Sequence, residues 1–251
     1  HERQGIDLAD YPNVKRWYDT ITARPATARA YARAKEAEAA GGPRHEIDVK
    51  LEGMLPVLTG EMPLFVHTNG ARDIRAALDW AAGRDLRIVI LDRGDTWRAA
   101  EDLAAANVPV VIAAVTVVPR LVDDPYDAMY ANAARLAEAG VKFAIADSPS
   151  DPSTEDRNVP FQAGMAAAFG LNREEALRAV TLYPAQILGV DSALGSIEVG
   201  KSASLVLTDG DLLEIRTNVR QEWIDGRAID LQSRHTGLWH KWRDRPRPGG
   251  E

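Results

Sequence analysis

Between residues 62 and 147 the chain alternates short, nearly continuous apolar runs with amphipathic stretches. Four runs read as strands: Met62–Thr68, Arg87–Asp92, Val108–Val115 and Val141–Asp147. An apolar run without polar alternation suits a strand buried on both faces, as in a parallel sheet. Between the runs, Ala71–Ala82, Thr96–Ala106 and Tyr126–Ala139 carry helical periodicity. Asp95 and Asp124 stand where helix starts are expected, and Gly140 where a helix stop is expected. Strand, helix, strand at this spacing predicts βαβ units with right-handed crossovers. Two more helices are expected after the fourth strand, over Val159–Gly170 and Asn172–Leu182. Four such α/β units suit half of an eight-stranded barrel or a small open sheet, and periodicity alone does not choose.

The flanks differ in texture. Residues 1–46 read as a polar helical segment whose Ala/Glu/Arg-rich stretch stops at Gly41-Gly42-Pro43. Residues 47–190 hold the βα rhythm. Residues 191–233 read as a small subdomain of short strands with Gly and Asp turns, and residues 234–251 as a polar tail.

Composition narrows the function. An apolar fraction of 45% over 251 residues is enough for a real core. The formal charge of -7, from 37 acidic and 30 basic residues, argues against nucleic acid as a partner. With no cysteine, disulfides, thiolate metal sites and a Cys nucleophile are excluded. No apolar run approaches the roughly 20 residues that span a bilayer, so no membrane partner is expected. No signal peptide is visible, which leaves the cytoplasm as the default expectation and the compartment of any longer protein unknown. The chain opens on His1 instead of Met, so it reads as a piece of something longer.

In either α/β fold the functional side chains sit at the C-terminal ends of strands. Here those ends carry His67, Asp92 with Arg93, Thr116, and Asp147 with Ser148. His67 precedes a Gly loop, where a metal ligand or a catalytic base belongs; the bland reading is a surface histidine. Asp147 can hold a metal or take a proton from water; the bland reading is a turn in Asp-Ser-Pro-Ser-Asp-Pro. His235 and His240 are five apart, the wrong spacing for one helix face. No His-x-His, His-Glu-x-x-His, Gly-x-Ser-x-Gly or phosphate loop occurs.

Three stretches near the end, Ala176 to Gly189, Gly195 to Val206 and Ile224 to Arg227, carry the pattern by which residues 47–233 resemble the amidohydrolase superfamily, in its imidazolonepropionase-like branch. Ala176-Leu177 through Thr181-Leu182-Tyr183-Pro184-Ala185 to Leu188-Gly189 is similar to the family's Ala-Leu-x-x-x-Thr-x-Asn-Pro-Ala-x-x-Leu-Gly segment. Gly195-Ser196-Ile197-Glu198-Val199-Gly200-Lys201-Ser202-Ala203-Ser204-Leu205-Val206 is similar to its Gly-Ser-Ile-x-x-Gly-Lys-x-Ala-Asp-Leu-Val strand pair. Ile224-Asp225-Gly226-Arg227 matches its closing hairpin. Tyr183 stands where Asn is usual, and Ser204 where Asp is usual.

The resemblance implies a distorted (β/α)8 barrel with a small β-sandwich, the four strands here being barrel strands five to eight. It places His67 on the fifth-strand metal-ligand position. Asp147 falls on the eighth-strand position, as metal ligand and catalytic proton shuttle. The implied cofactor is a divalent metal, zinc by resemblance, and the implied substrate a small amide or cyclic amide. The family's His-x-His strand and fourth-strand ligand are not in this chain, and Ile90-Leu91-Asp92-Arg93-Gly94 stands where a sixth-strand His is usual. With two ligands remaining, the expectation is an incomplete site that binds metal poorly and is inactive alone. Its open strand edges imply a homo-oligomer or a missing N-terminal half-barrel. The rival reading is a non-catalytic remnant or binding module. A second resemblance covers residues 7–31, where Asp10-Tyr11-Pro12-Asn13-Val14-Lys15-Arg16-Trp17-Tyr18-Asp19 and Arg24-Pro25-Ala26 are similar to the closing helices of a glutathione S-transferase. It makes a glutathione transferase-like protein the third alternative.

Overall fold

The computed structural model describes Arg29, Ala32 and residues 49–68, 70–92, 94–147, 156–243 and 245. The glutathione transferase-like stretch therefore lies almost wholly outside the described residues. The described chain divides into two compact units, one made of 49–64 with 81–87, the other of 65–80 with the residues from 88 onward.

In the first unit, short helices α1 (Val49–Glu52) and α2 (Leu55–Leu58) are separated by a turn at Gly53-Met54. Pro56 sits in the first turn of α2, where its missing N–H costs nothing. The Pro56 carbonyl accepts from Met62 N at 2.9 Å, and the Arg87 guanidinium donates to the Gly60 carbonyl at 3.2 Å.

The second unit is built on a four-stranded sheet in the order β1 (Leu64–His67), β2 (Ile88–Asp92), β3 (Val110–Ile112), β4 (Phe143–Ile145). β2, β3 and β4 are parallel, with Ile90 beside Val110 and Val110 beside Phe143. Val89, Ile90, Val110, Ile112 and Phe143 are almost fully buried, as two-sided cover demands. β3 is shorter than the apolar run at Val108–Val115. Pro109 has no N–H for the ladder, and its carbonyl is taken by Ile90 N at 3.0 Å.

Helices follow the strands: α3 (Ala71–Ala82), α4 (Ala100–Ala105), α5 (Asn132–Glu138), then α6 (Val159–Ala168), α7 (Arg173–Arg178) and α8 (Leu182–Leu188). Three differ from expectation. The Thr96–Ala106 stretch begins as a 3-10 turn over Thr96–Ala99, because the Asp95 carboxylate is drawn to arginines instead of capping. The Tyr126–Ala139 stretch becomes regular helix only at Asn132; before it, turns tighten to Ala128 N on the Pro125 carbonyl at 3.0 Å. The Asn172–Leu182 stretch splits in two. Asn172 caps α7 through Glu174 N and Glu175 N, and the chain then breaks so that the Ala179 carbonyl accepts from Ile145 N of β4 at 2.9 Å. α8 beyond the break packs Ile187 on Val89 and Ala144, closing one face of the sheet.

A second sheet of three antiparallel strands follows: β5 (Leu205–Thr208), β6 (Val219–Ile224) and β7 (Arg227–Ile229). Asp225 and Gly226 turn the β6–β7 hairpin with φ of 50° and 76°. The polar tail expected over residues 234–251 contains helix α9 (Arg234–Arg243). Ser233 and Thr236 cap its start reciprocally, Ser233 N donating to Thr236 Oγ1 at 2.8 Å and Thr236 N to Ser233 Oγ at 3.2 Å. No described helix is long and apolar enough to cross a membrane.

Candidate active site

The C-terminal ends of β1 to β4 carry the residues singled out in the sequence. His67 is the last residue of β1 and is exposed. Asp92 is the last residue of β2, and Arg93 lies outside the described residues. Thr116 follows β3 on an exposed turn. Asp147, half-buried, lies two residues past β4, and Ser148 lies outside the described residues. His67 and Asp147 thus sit on the two outer strands of this sheet. With neighbouring strands about 4.8 Å apart, that is on the order of 14 Å along the sheet. Among the described residues, no group of three or more His, Asp or Glu gathers at metal-binding distance.

Two features at this end have no counterpart in the sequence reading. The first is Gln162 on α6, which is 7% exposed. Its Oε1 accepts from Val115 N and Thr116 N, each at 2.9 Å, and from Thr116 Oγ1 at 3.1 Å. Its Nε2 donates to Asp147 Oδ1 at 3.3 Å. The second is an ion-pair cluster in the loops after β2 and β3. Arg120 donates to Asp95 Oδ2 at 2.8 Å, Arg98 lies 3.7 Å from Asp95 Oδ1, and Arg98 also pairs with Asp124. Asp95 is 5% exposed, whereas the two arginine side chains are 40% and 34% exposed. The N–H of Leu121 and then Arg98 hold the Asp124 carboxyl below its ordinary range. A Cβ at Gly70, three residues after His67, would stand 3.4 Å from both Arg120 and Asp95. A single apolar residue in α6, or a larger one at 70, would disturb this end of the sheet.

A family model described as "Amidohydrolase family" matches residues 18–230. The chain belongs to the amidohydrolase family. Its imidazolonepropionase-like character shows in the imidazolonepropionase of Syntrophobacter fumaroxidans, 40% identical over 82 residues, which are 32% of this chain and 19% of that protein. The solved amidohydrolase from Thermotoga maritima MSB8 is 28% identical with a TM-score of 0.69, over 87% of this chain and 55% of its own. A solved adenosine deaminase from Xanthomonas campestris with bound zinc shares the fold at a TM-score of 0.51 and 24% identity, over 78% of this chain and 52% of its own. The chain spans about half the length of these solved amidohydrolase-fold neighbours.

Within the amidohydrolase pattern, Tyr183 replaces the usual Asn. Its hydroxyl donates to Glu175 Oε2 at 2.6 Å, and its ring meets Phe143 edge-on at 6.4 Å. The substitution ties α8 to α7 and to the base of β4. Burial, then the bond to Glu175, pushes the Tyr183 pKa up. Ser204, replacing Asp, accepts from Asp225 N at 3.3 Å and so braces the β6–β7 turn. A cavity of about 630 Å³ lies among Arg75, Trp97, Arg98, Asp102, Arg135 and Glu138, residues of the 3-10 turn, α3, α4 and α5. Arg75 is bonded to Asp102 at 2.7 Å, and Arg98 and Arg135 flank the Trp97 ring, so the charges that line this open cavity are paired with one another or set against the ring.

Proposed function

We propose that the four βα units are part of a (β/α)8 barrel and that its mouth is a divalent-metal hydrolase site for C–N bonds in small amides or cyclic amides. The observation that carries the reading is the Asp147 carboxylate at the end of β4, oriented by a buried amide in a chain of the amidohydrolase family. Superfamily members typically use a divalent metal. An imidazole nitrogen from His67 and a carboxylate oxygen from Asp147 are donors suited to zinc. They suit such an ion in kind, but they end the two outer strands of the sheet, on the order of 14 Å apart, and they are two where a catalytic zinc takes three.

An ion held there with further donors would supply water of lowered pKa. His67 would offer an imidazole nitrogen to it. Asp147 would receive the proton of the attacking water on its carboxylate and return it to the departing nitrogen. Gln162 keeps that carboxylate aimed, and the Asp95–Arg120 pair fixes the loops beside it.

The absence of a three-donor group among the described residues favours a second reading, a module of the same fold that binds without turnover. Zinc binding separates the two, since binding lost in both His67→Ala and Asp147→Asn supports the first and binding untouched by them supports the second, and neither has this chain turning over alone. With two ligands, imidazolone, hydantoin and dipeptide substrates are hydrolysed no faster by this chain with added zinc than by buffer. Zinc-dependent turnover that disappears in Asp147→Asn would establish a complete enzyme instead.

A further inference from the structure

We propose that helix α9 is an interfacial helix that lies on an anionic lipid bilayer, with Leu238, Trp239 and Trp242 in the headgroup boundary and basic side chains at its margins.

Ten residues, Arg-His-Thr-Gly-Leu-Trp-His-Lys-Trp-Arg, form α9 with no acidic residue among them and none buried. Leu238 and Trp242 are one turn apart, and Trp239 is three residues before Trp242, so the three side chains share one face. They are 42%, 49% and 57% exposed for Leu238, Trp242 and Trp239. Two indoles and a leucine side by side make a contiguous apolar patch, which marks a binding surface where a single exposed residue would not.

Cations frame the patch. Arg234 and Lys241, four before and three after Leu238, border it on one side, and Arg243, four after Trp239, on the other. Lys241 Nζ lies 4.8 Å and the Arg245 guanidinium 5.2 Å from the centre of the Trp242 ring, and the Arg243 guanidinium 4.9 Å from that of Trp239. Each indole thus carries a cation against its ring. Such a face matches the boundary of a bilayer, where indoles sit at headgroup level and long basic side chains reach the phosphates.

Charge selects the surface. Residues 234–251 hold five basic and two acidic side chains, a net +3, while the remaining 25 basic and 35 acidic leave the rest of the chain at -10. Attraction to an anionic surface is therefore confined to this end. A nucleic acid offers the same charge but no apolar layer for Leu238, and one helix is neither the groove nor the stacking platform that single strands use. At 1.5 Å per residue α9 is about 15 Å long, half the thickness of a bilayer core, so it lies in the plane of the surface. The expectation against a membrane partner comes from the lack of a spanning run, and a helix in the interface needs none. The Ser233–Thr236 cap forms the helix before contact, so little order remains to be lost on binding.

The test is co-sedimentation of the full chain with vesicles of phosphatidylcholine alone or mixed with phosphatidylserine. Binding is expected on the mixed vesicles, weakening with added salt, and far less on phosphatidylcholine. Arg234→Gln with Lys241→Gln should weaken it about 25-fold, at about 5-fold per basic residue. Trp239→Ser with Trp242→Ser should weaken it about tenfold or more. Gly237→Ala is the control expected to bind as wild type, because a Cβ there meets nothing within 4 Å. No binding, equal binding to the two kinds of vesicle, or binding unchanged by the Trp pair overturns the proposal. Self-association without lipid that the Trp pair abolishes makes the face an interface between copies and overturns it too. So does tighter binding to an oligonucleotide than to mixed vesicles at equal phosphate. Should the Trp variant fail to fold, the Arg234 and Lys241 variant decides, and undiminished binding there overturns the proposal.

Discussion

The Asp95–Arg120 pair is unevenly buried, and the unevenness makes a quantitative prediction. Asp95 is 5% exposed, while Arg120 and Arg98 are 40% and 34% exposed. Removing the charge of Arg120 with Arg120→Met keeps most of the stem but leaves a buried carboxylate with Arg98 at 3.7 Å and its remaining contacts. Breaking a fully buried pair from one side costs about 3–5 kcal/mol, and an exposed pair is worth about 0–1 kcal/mol. With one partner half in water and a second guanidinium still near, the cost falls between these, at about 1–2 kcal/mol. Asp95→Asn is the milder change. It leaves an acceptor for Arg120 and two arginines already in contact with water, so it costs under about 1 kcal/mol. Urea unfolding at neutral pH measures both through the midpoint, with the slope unchanged. For a chain of this size the Arg120→Met loss corresponds to roughly 2–8 °C in melting temperature. If Asp95→Asn costs as much as Arg120→Met or more, burial does not govern this pair and the reasoning is wrong.

Other outcomes follow from the same contacts. Gly164→Ala forces a methyl to 2.4 Å from the Leu213 carbonyl oxygen and should cost about 1–3 kcal/mol in urea unfolding, with the loss relieved only if the loop before β6 moves away. Tyr183 has a raised folded pKa, so its contribution is fully present below the unfolded value near 10 and is lost as pH rises through the folded one; Tyr183→Phe should flatten the alkaline limb of a stability-versus-pH curve. Asp211 is held low by Arg173 first and Leu213 N second, so its contribution is present above the unfolded value of 3.8 and is lost as pH falls through the lowered one. Asp211→Asn should flatten the acid limb in the same measurement.

The strands were legible because burial on both faces leaves a continuous apolar signature, as in Arg87–Asp92 and Val141–Asp147. Their ends were not, because Pro109 and the Ala179 carbonyl act through ladder bonds that periodicity does not register. His67 and Asp147 could be singled out by their places after apolar runs. Gln162 could not be read in the same way, since its role depends on Val115 and Thr116, some 46 residues away. The available signal was one amide among the apolar residues of α6. Asp95 looked like a helix cap, since a carboxylate before Thr96-Trp97 fits that role locally, and only Arg120 in the next loop reveals the competing partner. The helix at Arg234–Arg243 was signalled by Ser233 and Thr236, a cap pattern masked by the polar run around it.

The central claim, that His67 and Asp147 are the strand-end donors this chain offers a divalent ion and are too few and too far apart to hold one tightly, is tested most directly by equilibrium zinc titration of wild type, His67→Ala and Asp147→Asn. The account predicts that purified protein retains much less than one zinc per chain, that wild type approaches one per chain only at high free zinc, and that either substitution removes the binding. Zinc bound at one per chain with undiminished affinity in both variants would contradict it.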